Sequence, residues 1–462
     1  MKQDNRIYLF EKASIPHAVI NMAVPTVISS LVTIIYNLAD TYFVGMLNNA
    51  TQNAAVTLAA PVLLAFNAVN NLLGIGCSSL MSRALGAKEH DKVRDISTFG
   101  FYATVVCSML FSILSLIFFV PLLHVLGADE TNINATQNYL FWTVVCGAVP
   151  AILNVVMSYM VKSEGATFHA SIGTMSGCIL NIILDPIFIL PWGLNMGAAG
   201  AGLATFVSNC AACIYFFILI AVKAKQKRTF ISFNPRWFRF DAQIIRGIAI
   251  VGVPAAIQNL LNVTGMTVLN NLATPAGNDA LAAMGIAQKI NMLPMNVALG
   301  MGQGVMPLIS YNFASKNYSR MKKAIYFSLI WPAVILAVIA LGFYTFPATL
   351  IRMFMQKPEV VAYASSFLRG FCIELPFLCI DFITVGVFQA TGMGGKAFIF
   401  AILRKIILEI PALLILNKIW PLYGLAYAQP LTEVVLAIAA LIVLKMMFIR
   451  METKPETVHN GV

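Results

Sequence analysis

IPHAVINMAVPTVISSLVTIIYNLAD, residues 15–40, contains no Lys, Arg or Glu and reaches its only acid at its last position. A helix rises about 1.5 Å per residue, so the run is long enough to cross the ~30 Å hydrocarbon core of a bilayer. Comparable apolar runs follow near 54–80, 96–120, 136–161, 168–190, 198–222, 247–272, 281–311, 325–350, 361–389, 398–416 and 422–448. The reading is an all-α integral membrane protein with twelve transmembrane helices. Bulk composition agrees: 59% of the 462 residues are apolar and 11% are charged, and mean hydropathy is +0.81. Soluble domains carry roughly 25% charged residues, so a water-soluble enzyme is excluded. The opening residues are polar, and the run from Ile15 is too long for a signal-peptide core, so no cleavable signal is read.

Charge placement tests the span count. If both termini are cytoplasmic, basic clusters fall on inner segments near 83–94, 223–246 and 316–323, with Lys2 and Lys454 at the ends. Arg404 and Lys405, with Lys396, are read as the inner edge of the eleventh span. Outer loops near 46–53, 124–135, 191–198 and 273–280 carry no Lys or Arg. This alternation is the positive-inside pattern. It also explains the net charge of +11 through loops facing anionic lipid rather than through nucleic-acid binding. The eight cysteines sit in apolar runs with no CxxC pair, and read as small buried residues.

The chain repeats itself. AVP (23–25) matches GVP (252–254), GAKEHDKVRD (86–95) matches ASKNYSRMKK (314–323), NIILDP (181–186) matches KIILEIP (405–411), and GAGLAT (200–205) matches LYGLAY (422–427). Six spans separate the copies, so both enter the membrane in the same sense, giving a parallel repeat. The expected organisation is two pseudo-symmetric six-helix bundles: an N-terminal lobe over 1–222, a cytoplasmic basic linker over 223–246 and a C-terminal lobe over 247–462.

These features, with PTVISSLVTIIYNLADTYFVG (25–45), SRALGAKEHDKVRD (82–95), LNIILDP (180–186) and FQATGMGGK (388–396), resemble the multidrug and toxic compound extrusion (MATE) family. The likeness covers essentially the whole chain and is closest to a bacterial branch of staphylococcal multidrug efflux. It implies a cation-coupled antiporter that exports lipophilic, mostly cationic drugs by alternating access. The coupling ion is H+ or Na+, with no other cofactor and no bound metal beyond Na+ at Asp40 and Asp185. The implied setting is the bacterial cytoplasmic (inner) membrane. The protein works as a monomer there, its partners are small substrates and lipid, and it serves antibiotic resistance. The rival is a lipid-linked oligosaccharide flippase of the same superfamily, which needs a cationic cavity; here the spans hold more acids than bases. No Walker A sequence, HExxH, GxSxG or clustered metal-ligand set is present, so no enzyme is read.

A carboxylate inside a span costs about 2.5–3.5 kcal/mol at the helix centre, so each needs a reason. The resemblance places Asp40, Asn154, Asn181 and Asp185 in a hydrogen-bonded ion-coupling cluster of the N-terminal lobe. Poor solvation disfavours a charged carboxylate, so such a group can load and release a proton, or amides and carboxylates can hold a dehydrated sodium ion. Asp40 and Asp185 could instead simply cap helix ends. In the C-terminal lobe, Glu374 and Asp381 are seven apart and share a helix face. An intramembrane Lys usually pairs with an acid, so Lys289 is expected to pair with one of them. Asp381 matches an ion-coupling Asp of sodium-linked family members, but their helix-7 Glu is Asn262 here, which leaves a substrate role open. Glu409 matches Asp185 in the repeat, with a salt bridge to Arg404 or Lys405 as the alternative. Asn259, Asn262 and Gln288 are among many amides expected to line a polar cavity. Met292 and Met295, with Met284, Met301 and Met306, either give it adaptable apolar surface or pack helices. Pro25, Pro254, Pro150 and Pro376 permit kinks.

Overall fold

The computed structural model describes residues 5–453, and every regular element in them is helical. Lys2, Lys454 and His459 lie outside the described residues. The first half runs α1 (Asn5–Glu11), α2 (Ile15–Gly45) and α3 (Ala50–Asn70), the last continuing through a π-helical segment (Asn71–Ile75) into α4 (Gly76–Gly86). Next come α5 (His90–Ile117), α6 (Phe119–Val125) and α7 (Ile133–Leu140). A second π-helical segment (Phe141–Cys146) leads to α8 (Ala148–Ser163), then α9 (Thr167–Ile189) and α10 (Ala198–Lys225).

The second half repeats the order with α11 (Ala242–Ala273), α12 (Asn278–Ala314), α13 (Tyr318–Thr345), α14 (Pro347–Arg352) and α15 (Pro358–Phe371). A 3₁₀ turn (Cys372–Glu374) then opens α16 (Leu375–Ala390). α17 (Gly394–Ile402), a third π-helical segment (Leu403–Glu409), α18 (Ile410–Ile419) and α19 (Leu425–Thr453) complete it. Ten of these helices are long and apolar enough to span a membrane, and α7 with α8, bent by 48°, makes an eleventh. The remaining predicted span is α17–α18, interrupted by its π-helical segment.

The repeat extends to backbone detail. Left-handed residues recur at matched turns: Lys88 (φ 61°) and Lys316 (φ 58°), Gly165 (φ 79°) and Gly392 (φ 78°), Asn195 (φ 54°) and Leu422 (φ 66°). A non-glycine residue at positive φ is uncommon, so finding Lys at the same place in both copies of the polar loop ties the sequence match to a shared turn.

Two compact units emerge. Among the described residues the first comprises 5–8 together with Ile28–Ala256, and the second Leu9–Val27 with 257–453. The boundaries cut α2 and α11 just past Pro25 and Pro254, where a missing backbone hydrogen bond permits a bend. The other two prolines are not mid-helix. Pro150 stands in the first turn of α8, after the bend, and Pro376 in the first turn of α16, where a proline lacks no intrahelical bond.

The basic linker belongs wholly to the first unit. Glu164 accepts from the Phe230 amide (2.6 Å) and the Thr229 hydroxyl (2.7 Å). Thr98 donates to the Ser232 carbonyl at 2.8 Å, and Phe233 stacks on Phe101 at 4.3 Å. In the second unit Leu269, Met284, Phe367, Phe371 and Leu413 form one apolar cluster, and Phe388, Phe400 and Leu436 another.

Candidate functional site

The first unit holds a buried polar cluster between α2, α7, α9 and α10. Asp185 is 0% exposed and Asp40 9%. Asn181 stands one turn before Asp185 on α9. With its amide nitrogen donating to Asp185 Oδ2 (2.9 Å), its oxygen accepts from the Thr205 amide (3.0 Å) and hydroxyl (3.3 Å). Tyr36, one turn before Asp40 on α2, hydrogen-bonds Thr205 and lies within electrostatic reach of both acids, as does Tyr139. Asp185 also feels the charge of Asp40. Asp40 Oδ1 is buried and has no hydrogen-bond partner among the described residues.

Asn154, at the amide position expected in this cluster, instead donates to the carbonyls of Pro150 (2.7 Å) and Ala151 (3.1 Å) and to Asn209 Oδ1 (3.1 Å). It braces the start of α8 against α10 and hydrogen-bonds neither acid. Among the described residues no ion pair reaches Asp40 or Asp185. Two carboxylates with neutral hydroxyl and amide neighbours make a site that needs a positive charge from outside whenever either is ionised, because an uncompensated buried charge is costly.

The second unit answers the same problem differently. Arg404 Nε lies 2.7 Å from Glu433 Oε1, and its Nη1 3.6 Å from Asp381 Oδ2. Its guanidinium also sits 4.8 Å over the Phe382 ring. Lys405 Nζ meets Glu409 Oε2 at 2.5 Å. Glu374 Oε1 accepts from Asn291 Nδ2 at 2.7 Å. All of these side chains except the half-buried Phe382 are buried.

Three expectations change here. Arg404 and Lys405 are not at the inner edge of a span. α17 already starts at Gly394, which carries both into the helix interior, where buried acids neutralise them. Asp381 therefore pairs with Arg404, and Glu374 with Asn291, while Lys289 is exposed and joins neither. Glu433, for which no partner is evident from the sequence, is the main anchor of Arg404.

The remaining expected residues lie apart from this network. Gln288 donates to Asn270 at 3.3 Å. Asn259 and Asn262 are half-buried on α11 and bond to neither Glu374 nor Asp381. Met284, Met301 and Met306 are buried packing residues, whereas Met292 is exposed and Met295 half-buried. The residues that sequence reasoning missed are Tyr36, Tyr139, Thr205 and Asn209. Tyr36 could have been found from its one-turn spacing to Asp40, and Thr205 from its place in the repeated GAGLAT motif.

Comparison with known proteins agrees with the duplicated architecture. The MatE family model matches the chain twice, over residues 25–187 and 254–415. The chain is 32% identical over 443 residues to the multidrug export protein MepA of Staphylococcus haemolyticus, covering 96% of each. It is 30% identical over 460 residues to MepA of Staphylococcus aureus, covering 99% of this chain and 100% of that one. Its fold matches an outward-facing multidrug resistance transporter of the same family at a TM-score of 0.91, with 24% identity over 98% of this chain. Two matched halves and full-length relatives leave one assignment: the chain belongs to the MatE family.

Proposed function

We propose that the protein is a cation-coupled antiporter that exports lipophilic, mostly cationic compounds by alternating access, with coupling seated at Asp40 and Asp185. The relatives are named multidrug export proteins, which supports export of small molecules rather than enzymatic turnover. One observation carries the coupling site: two buried carboxylates, Asp185 within electrostatic reach of Asp40, with Asn181, Thr205, Tyr36 and Tyr139 around them and no basic partner among the described residues. H+ or Na+ occupies the site from the outer side and favours drug release. The ion departs on the cytoplasmic side, and a cationic drug binds next. The protein sits in the bacterial cytoplasmic membrane with both termini cytoplasmic and acts as a monomer.

Energetics constrains the stoichiometry. One charge crossing 100 mV supplies about 2.3 kcal/mol, while a hundredfold gradient of a neutral solute costs about 2.8 kcal/mol. A cationic drug also moves against the field, so one ion per drug gains little from voltage. Two ions, or a chemical ion gradient, are required, and paired acids suit that demand.

The test uses proteoliposomes with separately imposed pH and sodium gradients, following ethidium, for wild type and for Asp40→Asn, Asp185→Asn and Asp381→Asn. The expected result is gradient-driven movement lost in Asp40→Asn and Asp185→Asn and retained in Asp381→Asn. Loss only in Asp381→Asn would move coupling to the second unit. No movement of any cationic dye under either gradient would end the antiport reading.

A further inference from the structure

The repeat sets Asn181 against Lys405 and Asp185 against Glu409. Both pairs are one helical turn apart on their helices, and both are closed. In the first unit a neutral amide donates to the acid at 2.9 Å. In the second an ammonium meets it at 2.5 Å. The same position of one duplicated fold thus holds an acid that lacks a counter-charge and an acid that carries its own.

We propose that Lys405 is a resident cation: a tethered ammonium that fills, in the second unit, the place an exchangeable ion takes in the first, so that only the first copy exchanges ions with its surroundings. This deepens the coupling reading and rests on it for where exchange occurs.

The surroundings fit a filled site. Glu409 Oε1 and the Lys405 side chain lie against Gly265 of α11. A Cβ added there would fall 2.7 Å from Glu409 Oε1 and 3.2 Å from Lys405 Nζ, so the pair is packed against the bare backbone of Gly265. The charged groups facing the pair are Arg404 on its own segment, Glu374 before α16, Asp381 on α16 and Glu433 on α19. Arg404 is already bound to Glu433 and Asp381, so it cannot turn to Glu409 without stripping two buried acids. Removing the Lys405 charge therefore leaves Glu409 as a buried carboxylate that must recruit a cation from solution, since an unpaired buried charge is costly.

The experiment counts exchangeable cations on the purified full chain in detergent. Protons released between mildly acidic and mildly alkaline pH are measured alongside binding of radioactive sodium. Lys405→Asn, which copies the first unit, is expected to hold one more exchangeable cation per chain than wild type. Adding Glu409→Gln is expected to remove that gain, and Lys405→Arg to keep the wild-type count. The reciprocal Asn181→Lys is expected to abolish the cation held by the first unit. It decides the matter if Lys405→Asn does not fold.

Asp185→Asn alone tests the coupling reading. The gain of Lys405→Asn over its own Asp185→Asn parent tests the resident cation, whichever way the first result falls. A folded Lys405→Asn with an unchanged count, or a folded Asn181→Lys that still exchanges its cation, would overturn the proposal.

Discussion

Arg404→Met should destabilise the protein severely. Among the described residues, Arg404 is the only base paired with two buried acids: 2.7 Å from Glu433 and 3.6 Å from Asp381. Glu433 is 1% exposed and Asp381 1%. The other buried cation of the unit, Lys405, is held by Glu409 and cannot substitute. Breaking a buried ion pair by deleting one partner costs about 3–5 kcal/mol, because the survivor stays charged and unpaired. The folding equilibrium should therefore fall by roughly two to four orders of magnitude. Replacing both members is close to neutral, so Arg404→Met with Glu433→Gln should recover more than half of the loss. Arg404→Lys should fall between, since a point charge cannot fork to two acids. The assay is equilibrium unfolding by SDS in mixed micelles, followed by helical circular dichroism. If Arg404→Met stays within about 1 kcal/mol of wild type and Glu433→Gln adds nothing, the acids are not held as charged partners of Arg404 and the reasoning fails.

Two further outcomes are expected. Gly252→Ala should lower the yield and thermal stability of folded protein, because the new Cβ would run into the Leu72 carbonyl within the first unit. A backbone atom cannot move aside as a flexible side chain does, so wild-type stability in a thermal aggregation assay would contradict the close approach. Glu164→Ala should free the linker, which it holds through the Phe230 amide and the Thr229 hydroxyl. Trypsin should then cut after Lys227 or Arg228 several-fold faster than in wild type, and equal cleavage rates would show that the linker is held elsewhere.

Most of the architecture was legible because a bilayer imposes length and charge rules that sequence records directly. The run to Asp40 and the paired polar loops needed no tertiary information, and Lys88 and Lys316 share a backbone conformation that the loop match anticipates. The Asn181–Asp185 bond was legible for the same reason, being one turn of one helix. What failed was long-range pairing. Arg404 and Glu433 are 29 residues apart on different helices, and no periodicity says that one neutralises the other. Basic residues after an apolar run look like the membrane surface, so Arg404 and Lys405 were placed there until the start of α17 at Gly394 carried them inward. Lys289 was matched to Glu374 or Asp381 by charge alone, and geometry gave the first an amide, Asn291, and the second a different base, Arg404. The π-helical segments were equally invisible, since they depend on a hydrogen-bond register rather than on residue type.

Duplication explains why such a protein can be asymmetric in charge while symmetric in fold. Two copies of one six-helix unit inherit the same costly acid position. A buried acid can be tolerated in only a few ways: paired with a fixed base, neutralised by a proton, or bound to an ion. The second copy carries the fixed base, in Lys405 for Glu409 and Arg404 for Glu433. A fixed base makes an acid a structural element, because it no longer responds to what is in solution. Around Asp185 and Asp40 the first copy places the Asn181 amide, Thr205 and two tyrosines, and no base pairs with either acid among the described residues. Neutral partners orient a carboxylate without satisfying its charge, and that unmet demand is what the proposed coupling rests on.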